Sequence, residues 1–184
     1  MSTAVITASA SVLVAVLVFV LNQRAQIRQE RRQARLARVN SQLRELYGPL
    51  NALVEINERV WEALRDSGLP RKADRSPSRA DSDWLRWRSQ ALQPVNLQMR
   101  DLIVDHADLL IEPELPKALC DFCAHVAAVE IVLAAEADGV RDRALIVHPG
   151  APFATYVREA FLRLKREQQH LLAAVNRPRE IPAK

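Results

Sequence analysis

Two thiols and an imidazole stand close together in Cys120-Asp121-Phe122-Cys123-Ala124-His125. Residue types of this kind can hold a metal or carry redox chemistry. A structural zinc centre takes four ligands, usually as two pairs, and no second cysteine pair exists in the chain. His106, His148 or His170 would have to complete the set through tertiary folding alone. A redox C-x-x-C opens a helix after a strand, where the helix end lowers the thiol pKa. Here the motif lies inside a helical period running through Leu119 and Phe122, so both cysteines are expected to be buried and inert. Glu167-Gln168-Gln169-His170 matches the Glu-x-x-His step of di-iron bundles, but those sites need a second copy and two further glutamates. The chain has no second copy, no Gly-rich phosphate loop, no G-x-S-x-G and no H-E-x-x-H. The expectation is a protein without catalytic residues, cofactor or metal. Asn57, His106, His125 and Glu130 form a candidate core polar cluster. Polar side chains at such positions fix helix register by bonding to one another; a pocket for a small ligand or metal is the alternative.

The sharpest pattern is cationic. Arg24, Arg28, Arg31, Arg35 and Arg38 are spaced four, three, four and three, with Arg32 beside them and only Glu30 opposing. On a helix they make one face. It follows directly on Ala4–Leu21, an uncharged run of 18 residues, about 27 Å of helix against a hydrocarbon core of roughly 30 Å. No Lys or Arg precedes that run and no small-residue cleavage site follows it, so it reads as a retained transmembrane anchor rather than a signal peptide. Flanking positive charge stays cytoplasmic. The N-terminus is therefore expected outside the cell (inner) membrane, with residues 24–184 in the cytoplasm. Thr3, Thr7, Ser11 and Ala15 form a small-residue face through which two anchors can pack.

Each basic residue near an anionic leaflet contributes about 1 kcal/mol, fading within a Debye length of about 8 Å. A straight helix puts Arg38 about 21 Å beyond Arg24. Arg24, Arg28, Arg31 and Arg32 are therefore the candidate headgroup-binding residues, and the distal arginines need a bent helix or another partner. The net charge of +4 hides such a partner: residues 1–44 carry net +6, residues 101–142 net −8 and residues 143–184 net +5. A solvated helix surface of mixed charge is the plainer reading of this pattern and the one preferred here; the alternative is that a basic neck and an acidic middle attract each other within or between chains, and a uniformly basic nucleic-acid binder would not look like this.

The elements behind these residues read as helices throughout. Gly is scarce, with four in the chain, and β-type alternation is rare. Val39, Leu43, Leu46, Leu50, Leu53, Asn57, Val60 and Leu64 form a heptad seam, widened by Tyr47, Val54 and Trp61. Gly48-Pro49 lies within it and predicts a kink. Residues 69–81 read as a loop, with Asp81, Ser82 or Asp83 capping a second helix through Trp84, Trp87, Leu92, Val95, Met99, Leu102, His106 and Leu109, kinked at Pro94. Glu112-Pro113-Glu114-Leu115-Pro116 starts a third helix with proline in its first turn, its seam Leu115, Leu119, Phe122, Val126, Val129 and Leu133, ended by Asp138-Gly139. A loop over 140–151 precedes a last helix from about Pro152 to Asn176. Two cysteines in a cytoplasmic domain exclude a disulfide framework.

Leu46-Tyr47-Gly48-Pro49-Leu50, Trp61, the tryptophans of the second helix and Ala124-His125-Val126 together resemble a loose group of small bacterial membrane-anchored all-helical proteins of unknown function. The resemblance spans roughly residues 40–175. It implies an anchor and a bundle, and no activity. The expected organisation is an all-α chain: a transmembrane anchor (1–23), a basic juxtamembrane neck (24–38), an antiparallel four-helix bundle (39–176) and a tail (177–184). The expected role is a scaffold or interaction module that meets membrane lipids, a protein partner and copies of itself. A sensor or effector with a ligand or metal in the bundle core is the alternative.

Overall fold

In the computed structural model, backbone is described for residues 2–67, 79–140 and 146–175, and side chains for 14–67, 83–140 and 146–173. Among the described residues the protein is all-helical, without strands. Helix α1 (Ser2–Ser41) runs into a π-helical turn (Gln42–Tyr47) and on into α2 (Gly48–Asp66). Helix α3 (Arg79–Trp87) passes through a second π turn (Arg88–Leu92) into α4 (Gln93–Asp105). Helices α5 (Lys117–Ala137) and α6 (Ala151–Val175) complete the set.

The two internal prolines do not act as simple kinks. Each lies in the first turn of an α-helix whose preceding turn has widened. Proline lacks an N–H and its ring crowds the carbonyl four residues back. The chain answers by inserting a residue: the Gly48 N–H donates to the Leu43 carbonyl and the Gln93 N–H to the Arg88 carbonyl, each five residues back. The first turn is tight enough that a Cβ on residue 48 would press deep into the Leu43 carbonyl oxygen. Glycine is therefore the residue that allows this turn.

Three expected boundaries move. Helix α3 already begins at Arg79, so Asp81, Ser82 and Asp83 lie inside it and not at its cap. Helix α4 stops at Asp105, because His106 leaves the helical region (φ −117°, ψ 29°), and a 3-10 turn over Ala107–Leu109 carries Leu109 into the core. Helix α5 begins after Pro116, which sits at its N-cap with ψ 140°. Leu115, the residue before that proline, is held out of the helix and is exposed, not on the seam. At the other end of α5, Gly139 (φ 77°) donates to the Glu136 carbonyl and Val140 to the Ala135 carbonyl. This is a Schellman closure, which glycine permits at little cost. The expected loop over 69–81 lies, up to residue 78, outside the described residues.

The α1–α2 rod packs on α6 and α4, and α5 packs on α4 and α6. Arg35 meets Glu167 and Tyr47 meets Tyr156, so α6 runs antiparallel to the rod. Leu46, Tyr47, Leu50, Met99, Ile103, Leu119, Phe122, Val126, Val157 and Leu164 are almost wholly buried in the shared core. Each such aliphatic or aromatic side chain contributes about 1.5–3 kcal/mol on burial. Among the described residues, α5 is the helix long and apolar enough to cross a membrane by length and composition. Its Leu119, Phe122, Val126, Val129 and Val132 are buried within the fold, and its Glu130 and Glu136 pair with Arg100 and Arg88.

Candidate interaction surfaces

The arginine stripe of α1 is divided by the fold. Arg24, Arg28, Arg31 and Arg32 are exposed, and none of them takes part in an ion pair among the described residues. Arg35 donates to Glu167 at 2.6 Å, and this bond raises its already high pKa. Arg38 donates to the Asp108 carbonyl and lies 3.9 Å from the Asp108 carboxylate. The distal arginines thus find acidic partners within the chain, one of them in the acidic middle segment.

The four residues of the candidate polar cluster are not brought together. Asn57 is buried on α2, its Oδ1 without a hydrogen-bond partner. His106 is half-buried at the end of α4, and Glu130 is exposed, taking a hydrogen bond from Arg100 at 2.8 Å. His125 donates from Nδ1 to the Ile146 carbonyl at 2.9 Å. Among the described residues no hydrogen bond, ion pair or ring contact joins any two of the four. The buried polar groups of the core are amides instead. Gln42 donates to the Leu109 carbonyl (3.0 Å) and Gln93 to the Val126 carbonyl (3.3 Å), pinning a turn and a helix to the two π-turn regions.

The cysteines are not both buried as expected: Cys120 is exposed, and Cys123 is half-buried. The one-turn spacing puts them on neighbouring positions of the outer side of α5, while Leu119 and Phe122 face inward. Burial, followed by the neighbouring Cys120, pushes the Cys123 thiol pKa up, away from the reactive thiolate. Glu167 is engaged by Arg35, and His170 is exposed. No group of three His, Cys, Asp or Glu side chains able to hold a metal occurs among the described residues.

Sequence periodicity missed two polar constructions. In the first, the Ile111 N–H donates to Tyr47 Oη (3.2 Å), Tyr47 and Tyr156 share a hydrogen bond (3.1 Å), and Tyr156 donates to Glu112 (2.7 Å). This relay ties the segment before α5 to the rod and to α6. Burial raises the pKa of both phenols. The sequence pattern places Tyr47 by its apolar ring alone. In the second, His148 is set edge-on to Phe122, His125 and Phe153, and its Nδ1 accepts the Gly150 N–H at 2.8 Å. Burial and the nearby His125 pull its pKa down to about 4. With His125 bonded to Ile146, these contacts fold the segment before α6 back onto α5.

Two open surfaces stand out among the described residues. Pro49, Ala52, Leu53, Gln98, Asp101, Leu102 and Asp105 line a shallow groove of about 540 Å³ between α2 and α4. At the far end of the rod, Trp61 and Trp84 lie 5.5 Å apart, with Trp61, Leu85 and Trp87 exposed. Comparison with protein-family models, with curated proteins and with solved structures finds no match for the chain.

Proposed function

We propose that this protein is a non-enzymatic, membrane-tethered antiparallel four-helix bundle that presents an interaction surface at the cytoplasmic face. The observation that carries the reading is the surface of α1. Val14, Val16, Leu17, Val18, Phe19, Val20 and Leu21 are all exposed, Phe19 by 65 %. Residues 16–21 cover every face of a helix at 3.6 residues per turn. An apolar helix exposed on all sides is at rest in lipid and not in water. The exposed, unpaired Arg24, Arg28, Arg31 and Arg32 come next, where an anionic leaflet would meet them. Helix α5 is the weaker membrane candidate, because its apolar stripe is already used in the core. The aromatic edge of Trp61, Leu85 and Trp87 suits a protein partner, since exposed aromatic clusters are frequent anchors of interfaces. The sensor alternative has less support, because His106, His125 and Glu130 do not converge.

The test is alkaline extraction of native membranes combined with proximity labelling, the labelling enzyme fused after Lys184. Retention in the membrane and labelling of one consistent cytoplasmic neighbour support the reading. Release at high pH removes the anchor, and labelling confined to the outer side reverses the orientation.

A further inference from the structure

The seam between α2 and α4 is left as a groove of about 540 Å³. Ala52, Leu53 and Leu102 give it an apolar floor, and Ile56, 52 % exposed, carries the same stripe one turn past Ala52. From Pro49 to Ile56 is about 10 Å of helix, or two turns. Asp101 and Asp105 stand one turn apart on the α4 side, both exposed. Asp101 takes hydrogen bonds from Arg100, a guanidinium it shares with Glu130, and Asp105 makes no ion pair among the described residues. The α2 wall carries no charge from Pro49 to Leu53, and Glu55 beyond it is taken by Arg158 of α6. Asn57 follows Leu53 by one turn, buried, with its Oδ1 unpartnered. Apart from the amide of Gln98, what lines the groove is apolar surface and carboxylate.

We propose that this seam docks an amphipathic helix with a basic flank, supplied by a partner protein. The proposal rests on the interaction-module reading above and names the chemistry of one partner. Both walls are regular α-helix, so their backbone groups are bonded and no sheet edge is open for an extended peptide to join. A partner segment must satisfy its own backbone, and a helix does so. Apolar residues at i, i+3 or i+4 and i+7 cover the two turns of Leu53, Leu102 and Ile56. Basic residues four apart, on the flank toward α4, then match the spacing of Asp101 and Asp105. A neutral or acidic partner would desolvate both carboxylates without compensation. The surrounding segment has the same sign, since residues 101–142 carry net −8, and that field attracts a cationic partner.

The experiment uses the full chain in discs of phosphatidylcholine, with Cys120→Ser and Cys123→Ala and a photo-crosslinker on Gln98→Cys. The probes are synthetic amphipathic helices of about 18 residues, long enough to be helical alone, with leucine on one face and either lysine or glutamate on the flanks. The lysine peptide is expected to bind saturably and to cross-link from position 98. A crosslinker on Glu159→Cys, at an exposed position of α6, should not capture it. An exposed ion pair favours binding up to about fivefold, so Asp101→Asn with Asp105→Asn should weaken binding about tenfold, and added salt should do so in the parent chain. Ala52→Arg, at an exposed position of α2, puts a cation in the groove and should cut cross-linking at least tenfold; circular dichroism checks that both variants are folded. Equal capture of the glutamate peptide, or binding that neither variant weakens, overturns the proposal. Cross-links from position 98 to a second copy of the chain assign the seam to self-assembly and overturn it too. No cross-link at 98, while proximity labelling still finds a cytoplasmic neighbour, overturns the docking site and leaves the interaction module standing. Failure of both overturns the two together.

Discussion

Replacing Tyr47 by Phe should destabilise the fold by about 1–2 kcal/mol although the ring is kept and only one oxygen is lost. Tyr47 is wholly buried, so the Phe ring occupies the same space and the hydrophobic contribution is unchanged. What disappears is the acceptor for the Ile111 N–H and the partner of the Tyr156 hydroxyl. A backbone N–H stranded away from water costs about 1–3 kcal/mol. Ile111 is half-buried, so water recovers part of that, and the lower half of the range applies. The Tyr156 hydroxyl keeps its bond to Glu112 and adds little to the loss. For a domain of this size the change corresponds to a fall in Tm of about 3–6 °C. Urea denaturation of the detergent-solubilised protein measures the free energy, and hydrogen exchange at the Ile111 amide reads the broken bond directly. Tyr156→Phe and the double variant complete a cycle whose coupling should exceed about 0.5 kcal/mol. If Tyr47→Phe is neutral within about 0.3 kcal/mol and Ile111 keeps its protection, the relay does not tie this segment down.

Two further outcomes follow from single contacts. Gly48→Ala should cost about 1–3 kcal/mol, as overpacking does, because the new Cβ meets the Leu43 carbonyl oxygen and the π turn must open; thermal denaturation of this variant beside Ala52→Gly, at an exposed helical position, separates the clash from helix propensity. His148 is neutral in the fold down to about pH 4 but protonates near 6.5 when unfolded, so the unfolded state binds more protons in between, and the stability due to this group is full above pH 6.5 and lost as pH falls toward 4. Allowing for screening at a partly exposed ring, the loss is about 1–2 kcal/mol, and His148→Asn, which keeps an acceptor for the Gly150 N–H, should flatten this part of the pH profile in urea melts.

Periodicity exposed the helices and much of the core, for a physical reason: Leu43, Leu46, Leu50, Asn57 and Leu64 recur at the spacing that buries one face. It slipped where backbone chemistry overrode the period. The π turn before Pro49 adds a residue, and beyond it Val54 is buried while Leu53 lines the groove. It also failed at Leu115, where a following proline forbids the helix that the pattern asked for. The polar contacts were beyond its reach. Tyr47 and Tyr156 are 109 residues apart, and no spacing rule links them. Asn57, His106, His125 and Glu130 looked alike as polar residues beside seams, yet each is satisfied or left open by its own local surroundings. Charge was more informative at long range: the basic neck and the acidic middle do meet, through Arg38 and Asp108.

The division of the arginine stripe has a quantitative basis. Arg35 stands about 16 Å and Arg38 about 21 Å beyond Arg24, two or more Debye lengths along a straight helix, so an anionic leaflet at Arg24 offers them almost nothing. Their pairs with Glu167 and Asp108 are exposed, and such pairs contribute about 1 kcal/mol at most. Burial of Val39 and Leu164 outweighs that, so the Arg35–Glu167 pair is not what holds α1 to α6, and the Arg38–Asp108 pair joins α1 to the turn after α4 instead. The Arg35–Glu167 pair discriminates between registers. A slip of α6 by one turn would move an apolar residue onto an apolar neighbour with little change, but would carry Glu167 about 5.4 Å from Arg35. Register decides how far along α1 the end of α6 at Val175 reaches. Arg35 thus serves the register of α6 and Arg38 the turn after α4, while Arg24, Arg28, Arg31 and Arg32 make no ion pair among the described residues.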